Sequence, residues 1–136
     1  MTLYLIDSGA LLAMIDVSDT HHLTAARFAK ANKSATFYLP DTVFSETMVL
    51  VKARLGAEPA VELGGRIMNS SHFQVVDLTA EDHRLTWEIF SGYIDKDWSY
   101  VDCSIMAVAR RLSVSKIFAF DRHFDQMSGL TRVPTR

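Results

Sequence analysis

The chain has 136 residues, a formal net charge of −2, 49% hydrophobic and 22% charged residues, a balance typical of one globular domain. We therefore expect residues 1–136 to form a single domain. No run of about 18 or more apolar residues occurs, which argues against a membrane-spanning helix. No basic residue precedes the first apolar stretch, which argues against a secretory signal. The single cysteine, Cys103, excludes an intramolecular disulfide and fits a reducing compartment, so we expect a cytoplasmic protein.

Short apolar segments of strand type alternate with longer helical patterns along the chain. Strands are predicted at Leu3–Ile6, Thr36–Leu39, Phe73–Leu78, Lys116–Phe120 and Leu130–Val133, and helices near 9–15, 21–33, 41–56, 58–70, 79–93 and 99–113. This alternation favours an α/β fold of three layers, α/β/α, in which helices flank a central parallel sheet of four to five strands.

Three predicted helices begin with residues that are typical caps. Asp41 is predicted to cap the helix near 41–56. Thr79 with Asp82, and Ser99 with Asp102, have the spacing of capping boxes, in which each side chain bonds the other residue's backbone N–H. These starts fix the direction in which the first helical side chains point.

Two acids follow predicted strands. Asp7 comes directly after Leu3–Ile6, and Asp121 ends the apolar run 117–120. The carboxyl ends of parallel strands lie at one edge of a sheet, where open α/β folds place their working groups. Two carboxylates brought together there repel each other unless a cation lies between them. Asp121 also fits an ordinary turn after a strand, and that alternative stays open.

Two further acids interrupt apolar stripes of predicted helices. Glu46 has Val43 and Leu50 on its helical face, and Asp102 has Ile105 on its own. A buried, unpaired carboxylate is costly, so each acid needs a cation, hydrogen bonds or a raised pKa. The alternatives are that Glu46 reaches water from the edge of its stripe and that Asp102 serves only as a cap.

The chemistry of these acids favours a hard cation. Oxygen ligands without histidine or cysteine select Mg²⁺ or Mn²⁺ over Zn²⁺. The five histidines have no zinc-type spacing. Of these histidines His123 alone is near the predicted edge, and we expect it on the surface.

Charge is distributed unevenly along the chain. Residues 110–136 contain six basic residues and two acids, a net charge of +4, whereas residues 1–109 have a net charge of −6. A basic edge beside an acidic body would guide a polyanion toward a metal site, with Arg110 and Arg122 as candidate contacts. The alternative is that these charges only solvate surface helices.

The ordered set of motifs resembles the PIN-domain family, and within it the VapC-type toxins of bacterial toxin–antitoxin pairs. The segments that carry the resemblance are Ile6-Asp7-Ser8-Gly9-Ala10-Leu11, Ser45-Glu46, Asp97-Trp98-Ser99-Tyr100-Val101-Asp102-Cys103 and Phe120-Asp121-Arg122-His123-Phe124. They cover nearly the whole chain in the family's order. Ala119 is a departure, because relatives often have Thr or Ser there.

The resemblance implies a Mg²⁺-dependent endoribonuclease in which Mn²⁺ is able to substitute. Its metal ligands and catalytic residues would be Asp7, Glu46, Asp102 and Asp121, with the hydroxyls of Ser8 and Ser99 supporting them and Arg110 and Arg122 contacting RNA. It also implies tRNA or rRNA as substrate, a homodimer, and a small antitoxin that blocks the site.

Two alternatives stay open. One is a non-catalytic PIN-like scaffold that binds RNA, although without metal an anionic pocket repels a polyanion. The other is a metal-dependent nuclease that acts on single-stranded DNA.

Overall fold

The computed structural model describes residues 2–135 and contains a five-stranded sheet in which every pair of neighbouring strands is parallel. The strands are β1 (Leu3–Ile6), β2 (Thr36–Pro40), β3 (Phe73–Val76), β4 (Lys116–Phe118) and β5 (Thr131–Val133), in the spatial order β3-β2-β1-β4-β5. The predicted α/β fold with a central parallel sheet is confirmed.

Six helices flank this sheet, as the alternating pattern predicts. They are α1 (Ser8–Ile15), α2 (His22–Ala31), α3 (Asp41–Leu55), α4 (Ala57–Asn69), α5 (Ala80–Gly92) and α6 (Tyr100–Leu112), and a short 3₁₀ helix (Arg122–Gln126) follows β4. Among residues 2–135, no helix has both the length and the apolar character that crossing a membrane requires.

The core lies around the two central strands. Leu5 and Ile6 of β1 and Ile117 and Phe118 of β4 have no exposed surface. Strands covered on both faces need apolar residues in succession rather than in alternation, which is why these short runs were recognisable in the sequence. Because β1 and β4 are hydrogen-bonded neighbours, the residues that follow them emerge at the same edge.

Both predicted capping boxes are present, at Thr79 with Asp82 and at Ser99 with Asp102. The prediction for Asp41 is wrong. Strand β2 runs directly into α3, so Pro40 occupies the capping position and Asp41 is the first helical residue. The Asp41 carboxylate instead accepts a hydrogen bond of 3.2 Å from the Leu78 backbone N–H.

An ion pair between a buried aspartate and a partly exposed arginine joins α5 to α6. The Nε atom of Arg111 donates to both carboxylate oxygens of Asp82 at 3.0 Å, and the Asp82 side chain is only 4% exposed. Burial by itself would raise the pKa of Asp82, but the hydrogen bonds from Arg111 and Thr79 outweigh it and hold the pKa below its usual value. This pair fixes α6, and α6 contributes Asp102 to the site.

Candidate metal centre

Asp7 lies where β1 turns into α1. Its Oδ1 atom caps α1 by accepting a hydrogen bond of 2.9 Å from the Ala10 N–H, and its own N–H donates to the Phe118 carbonyl at 3.3 Å. The residue is 8% exposed. Its pKa is raised from 3.8 to about 7, chiefly by burial and to a smaller extent by the charges of Asp102, Asp121 and Glu46, although the Ala10 hydrogen bond lowers it.

Glu46 extends from the middle of α3 and is half-buried. The Ser8 hydroxyl, at the start of α1, donates a hydrogen bond of 2.5 Å to Glu46 Oε1. Ser8 is itself buried, so this bond joins α1 to α3 and fixes the orientation of the glutamate. The Ser8 hydroxyl, which was expected to support Asp7, therefore donates to Glu46 instead.

Asp102 lies in the first turn of α6, where it both takes part in the capping box and faces the cavity. Its Oδ2 atom accepts a hydrogen bond of 2.9 Å from the Ser99 N–H, and its own N–H donates to Ser99 Oγ at 3.0 Å. The carboxylate also lines the same cavity as Asp7. Its pKa is raised by burial and by Asp121, although the Ser99 hydrogen bond and His123 oppose this.

Asp121 begins the 3₁₀ helix that follows β4. Its Oδ1 atom accepts a hydrogen bond of 2.8 Å from the His123 N–H, as in a turn, and its side chain is 47% exposed. The residue also lines the cavity. Asp121 therefore both forms the turn and lines the site.

A single cavity of about 380 Å³ brings the predicted acids together. All four acids and both serines, Ser8 and Ser99, are among the residues that line it: Asp7, Ser8, Gly9, Leu12, Asp19, His21, Glu46, Leu50, Arg54, Asp97, Ser99, Asp102, Phe120, Asp121 and His123. Arg110 lies elsewhere, beside a second cavity with Ser113. Arg122 is exposed next to Asp121 but does not line the acidic cavity.

His123 is half-buried among the acids, where the sequence had indicated a surface residue. Its Nδ1 atom lies 3.2 Å from Asp121 Oδ1 and 3.4 Å from Asp102 Oδ2, and its Nε2 atom lies 3.8 Å from Asp97 Oδ2. Nδ1 is buried, yet these contacts lack the geometry of a hydrogen bond. His123 thus places an unsatisfied nitrogen between carboxylates.

The sequence also missed other residues of this cavity. Asp19 and Asp97 add carboxylates, Arg54 adds a positive charge, and His21 and Phe120 add aromatic rings. None of them lies in a recognisable stripe. Only His123 had a signal in the sequence: an acid that begins a turn accepts from the backbone N–H two residues later, which places His123 close to Asp121.

The donor set fits a hard divalent cation. It consists of carboxylates, whose oxygen atoms are the ligands that such ions prefer, and the charges of the neighbouring acids add to burial in raising the pKa of Asp7. In the described chain, residues 2–135, no three His, Cys, Asp or Glu side chains are already closed around a metal position. The acids therefore share a cavity, and coordination of one ion would require their side chains to converge.

Comparison with known proteins gives three consistent matches. The model of the PIN domain family matches residues 4–130. The 23S rRNA-specific endonuclease VapC20 of Mycobacterium tuberculosis is 29% identical over 119 residues, which cover 88% of this chain and 89% of the relative. The crystal structure of that protein, described as a sarcin–ricin loop cleaving toxin, superposes with a TM-score of 0.81 at 26% identity, covering 89% of this chain and 91% of the other.

A more distant structure supports the fold alone. VapBC2 from Rickettsia felis, bound to a DNA fragment from its promoter, has a TM-score of 0.70 at 13% identity and covers 96% of this chain and 97% of the other. The family match spans nearly all of the sequence and includes the four acids of the cavity. The resemblance to VapC-type proteins is confirmed, and the chain belongs to the PIN domain family, a family of nucleases.

Proposed function

We propose that this protein is a Mg²⁺-dependent endoribonuclease and the toxin of a toxin–antitoxin pair. The observation that carries the proposal is the presence of Asp7, Glu46, Asp102 and Asp121 in the lining of one cavity, with the Asp7 pKa raised to about 7 by burial and by the other acids. A site that concentrates negative charge beside a polyanionic substrate gains from it only when a cation is bound.

We assign separate roles in metal binding and positioning to the residues of the cavity. A bound divalent ion would activate water and offset charge on the phosphate. Asp7, Glu46 and Asp102 would hold the ion, and Asp121, which is more exposed, would complete the ligand set or position the attacking water. Ser8 orients Glu46 and Ser99 orients Asp102 through the hydrogen bonds described above.

The relatives guide the assignment of substrate and partners. VapC20 is named for cleavage of 23S rRNA, and we propose structured RNA, with rRNA before tRNA, as the substrate. Several structural neighbours are toxin–antitoxin complexes, which supports a small antitoxin that blocks the cavity. We also propose a homodimer located in the cytoplasm, with Arg110 and Arg122 as contacts to RNA outside the cavity.

Cleavage assays test the activity directly. Protein purified without antitoxin should cleave 23S rRNA or tRNA with Mg²⁺ or Mn²⁺, and EDTA should stop the reaction. Asp7→Asn and Asp102→Asn should abolish cleavage, whereas Asp95→Asn should not, because Asp95 is exposed and lies outside the cavity. Full activity of either cavity variant would contradict the assignment. Preferential cleavage of single-stranded DNA would reverse the choice of substrate.

Metal binding has a readout that does not depend on activity. An ion that binds only the folded protein stabilises it by about 2.7 kcal/mol at a hundred times its Kd. Mg²⁺ or Mn²⁺ should therefore raise the Tm of the wild type and of Asp95→Asn, but not that of Asp7→Asn. An equal rise in all three proteins would show that the ion binds elsewhere.

Expression in a host cell tests the toxin assignment. The wild type should slow growth, co-expression of the small protein encoded beside it should restore growth, and Asp102→Asn should be harmless. A wild type that cleaves RNA in vitro without slowing growth would leave the nuclease in place and remove the toxin role.

A further inference from the structure

An aromatic pair lies at the carboxylate cavity. The imidazole of His21 stacks on the ring of Phe120 with a centroid distance of 4.4 Å and an interplanar angle of 3°. Both residues line the cavity that contains the four acids. Phe120 directly precedes Asp121, so the pair adjoins a proposed metal ligand.

The backbone holds this pair in place. The His21 N–H donates a hydrogen bond of 2.8 Å to Asp19 Oδ1, and its carbonyl accepts one of 2.9 Å from the Ala25 N–H at the start of α2. Phe120 is half-buried and meets Phe118 edge to face at 5.9 Å. One face of the His21 ring is thus covered by a fixed partner.

The His21 ring keeps accessible surface despite this contact. The residue is exposed, and within residues 2–135 its side chain has no hydrogen-bond or ion-pair partner, only the contact with Phe120. An exposed flat ring that already packs against an aromatic partner is suited to stacking with another flat ring. In nucleic acids every base presents such a face.

The dimensions of the cavity limit what can stack there. At about 380 Å³ it lies at the small end of ligand pockets, which span roughly 300–1,000 Å³. That space has room for about one nucleotide. A base within a duplex is stacked on its neighbours, and its face becomes available only where the strand is unpaired or the nucleotide is turned out.

We propose that the exposed ring of His21, backed by Phe120, is the platform on which a base next to the scissile phosphate stacks, so that the enzyme selects RNA unpaired at that nucleotide. This rests on the proposed ribonuclease function and adds to it a positioning residue and a structural requirement on the substrate. The carboxylates would hold the ion at the phosphate, while the platform holds the adjoining nucleoside.

Variants at His21 separate stacking from charge and from folding. We expect His21→Ala to raise KM for a synthetic sarcin–ricin loop hairpin and for tRNA by roughly 5- to 150-fold, the equivalent of 1–3 kcal/mol per stacked base. The value of kcat should change much less. His21→Phe should keep KM near the wild-type value because it retains the flat ring without the imidazole. Leu23→Ala, at an exposed residue of α2 outside the cavity, is the matched control.

A modified substrate tests the same contact without altering the protein. Two hairpins carry an abasic nucleotide immediately 5′ or 3′ of the cleaved bond. One of them should raise KM for the wild type as much as His21→Ala does, and combining that hairpin with His21→Ala should add little, because both changes remove one contact.

The outcomes distinguish this inference from the function on which it rests. A wild type that cleaves no RNA would overturn both. A wild type that cleaves RNA, with His21→Ala matching Leu23→Ala or with both abasic hairpins cleaved normally, would overturn the stacking platform and leave the ribonuclease in place. Failure of His21→Phe to rescue KM would likewise contradict stacking.

Discussion

The buried carboxyl of Asp7 makes the stability of the metal-free protein depend on pH in an unusual direction. Its pKa is about 7 in the folded chain, against 3.8 for an unperturbed aspartate. The unfolded chain therefore loses this proton near pH 4, while the folded chain keeps it until about pH 7. Stability falls across this interval because the folded state binds more protons than the unfolded state.

The size of the effect follows from the same two values. A difference of about three pKa units, at 1.36 kcal/mol per unit, corresponds to roughly 4 kcal/mol above pH 7. Asp7→Asn removes the ionisable group but keeps a side-chain oxygen that can accept from the Ala10 N–H. In EDTA, the variant should therefore gain stability relative to the wild type as pH rises from about 4 to 8.

Chemical denaturation at a series of pH values measures this difference. The free energies of unfolding of wild type and Asp7→Asn, both in EDTA, should diverge with rising pH and reach a constant separation above about pH 7. A divalent ion at a hundred times its Kd should shift this separation by about 2.7 kcal/mol in favour of the wild type, because only the wild type binds it in the proposed site. A separation that does not change with pH would refute the reasoning that burial raises the Asp7 pKa.

Three further predictions concern the scaffold. Arg111→Ala should lower the free energy of unfolding by about 2–3 kcal/mol, since it leaves the buried Asp82 charge unpaired; a change below about 0.5 kcal/mol would contradict this. Gly65→Ala should raise it by about 0.5–1 kcal/mol, because its added Cβ meets nothing within 4 Å. Gly64→Ala should gain less, since its Cβ would lie 3.0 Å from a methionine sulfur of α3, and an equal gain would contradict that packing. Burial and Asp102 raise the pKa of the Cys103 thiol to about 11, so iodoacetamide at pH 8 should label it only after unfolding; rapid labelling of the folded protein would contradict this.

The strands and the acids that follow them could be predicted because the sequence carries local signals for both. Parallel strands covered by helices must be apolar throughout, and an acid at the end of such a run stands out, as Asp7 does. Glu46 and Asp102 were recognisable for the related reason that each breaks an apolar helical stripe. The rule that the carboxyl ends of parallel strands share an edge accounts for Asp7 and Asp121, whereas Glu46 and Asp102 reach the same cavity from α3 and α6.

Most of the remaining cavity residues are placed by loops, and the path of a loop produces no periodic pattern in the sequence. The segment between α1 and α2 carries His21 to Phe120, nearly a hundred residues later in the chain. The 3₁₀ helix after β4 turns His123 back toward Asp102. Asp41 is the first residue of α3 and not its cap because β2 runs directly into the helix, and its carboxylate accepts from a distant partner, the Leu78 N–H.

The position of β1 in the middle of the sheet has a consequence during synthesis. Strand β1 is translated well before β4, its neighbour in the sheet, and such long-range parallel pairing is slow to form. Asp121 and His123 come after β4, so a chain still emerging from the ribosome lacks one wall of the carboxylate cavity. An enzyme proposed to cut ribosomal RNA would thus acquire its site only after Asp121 and His123 have been translated.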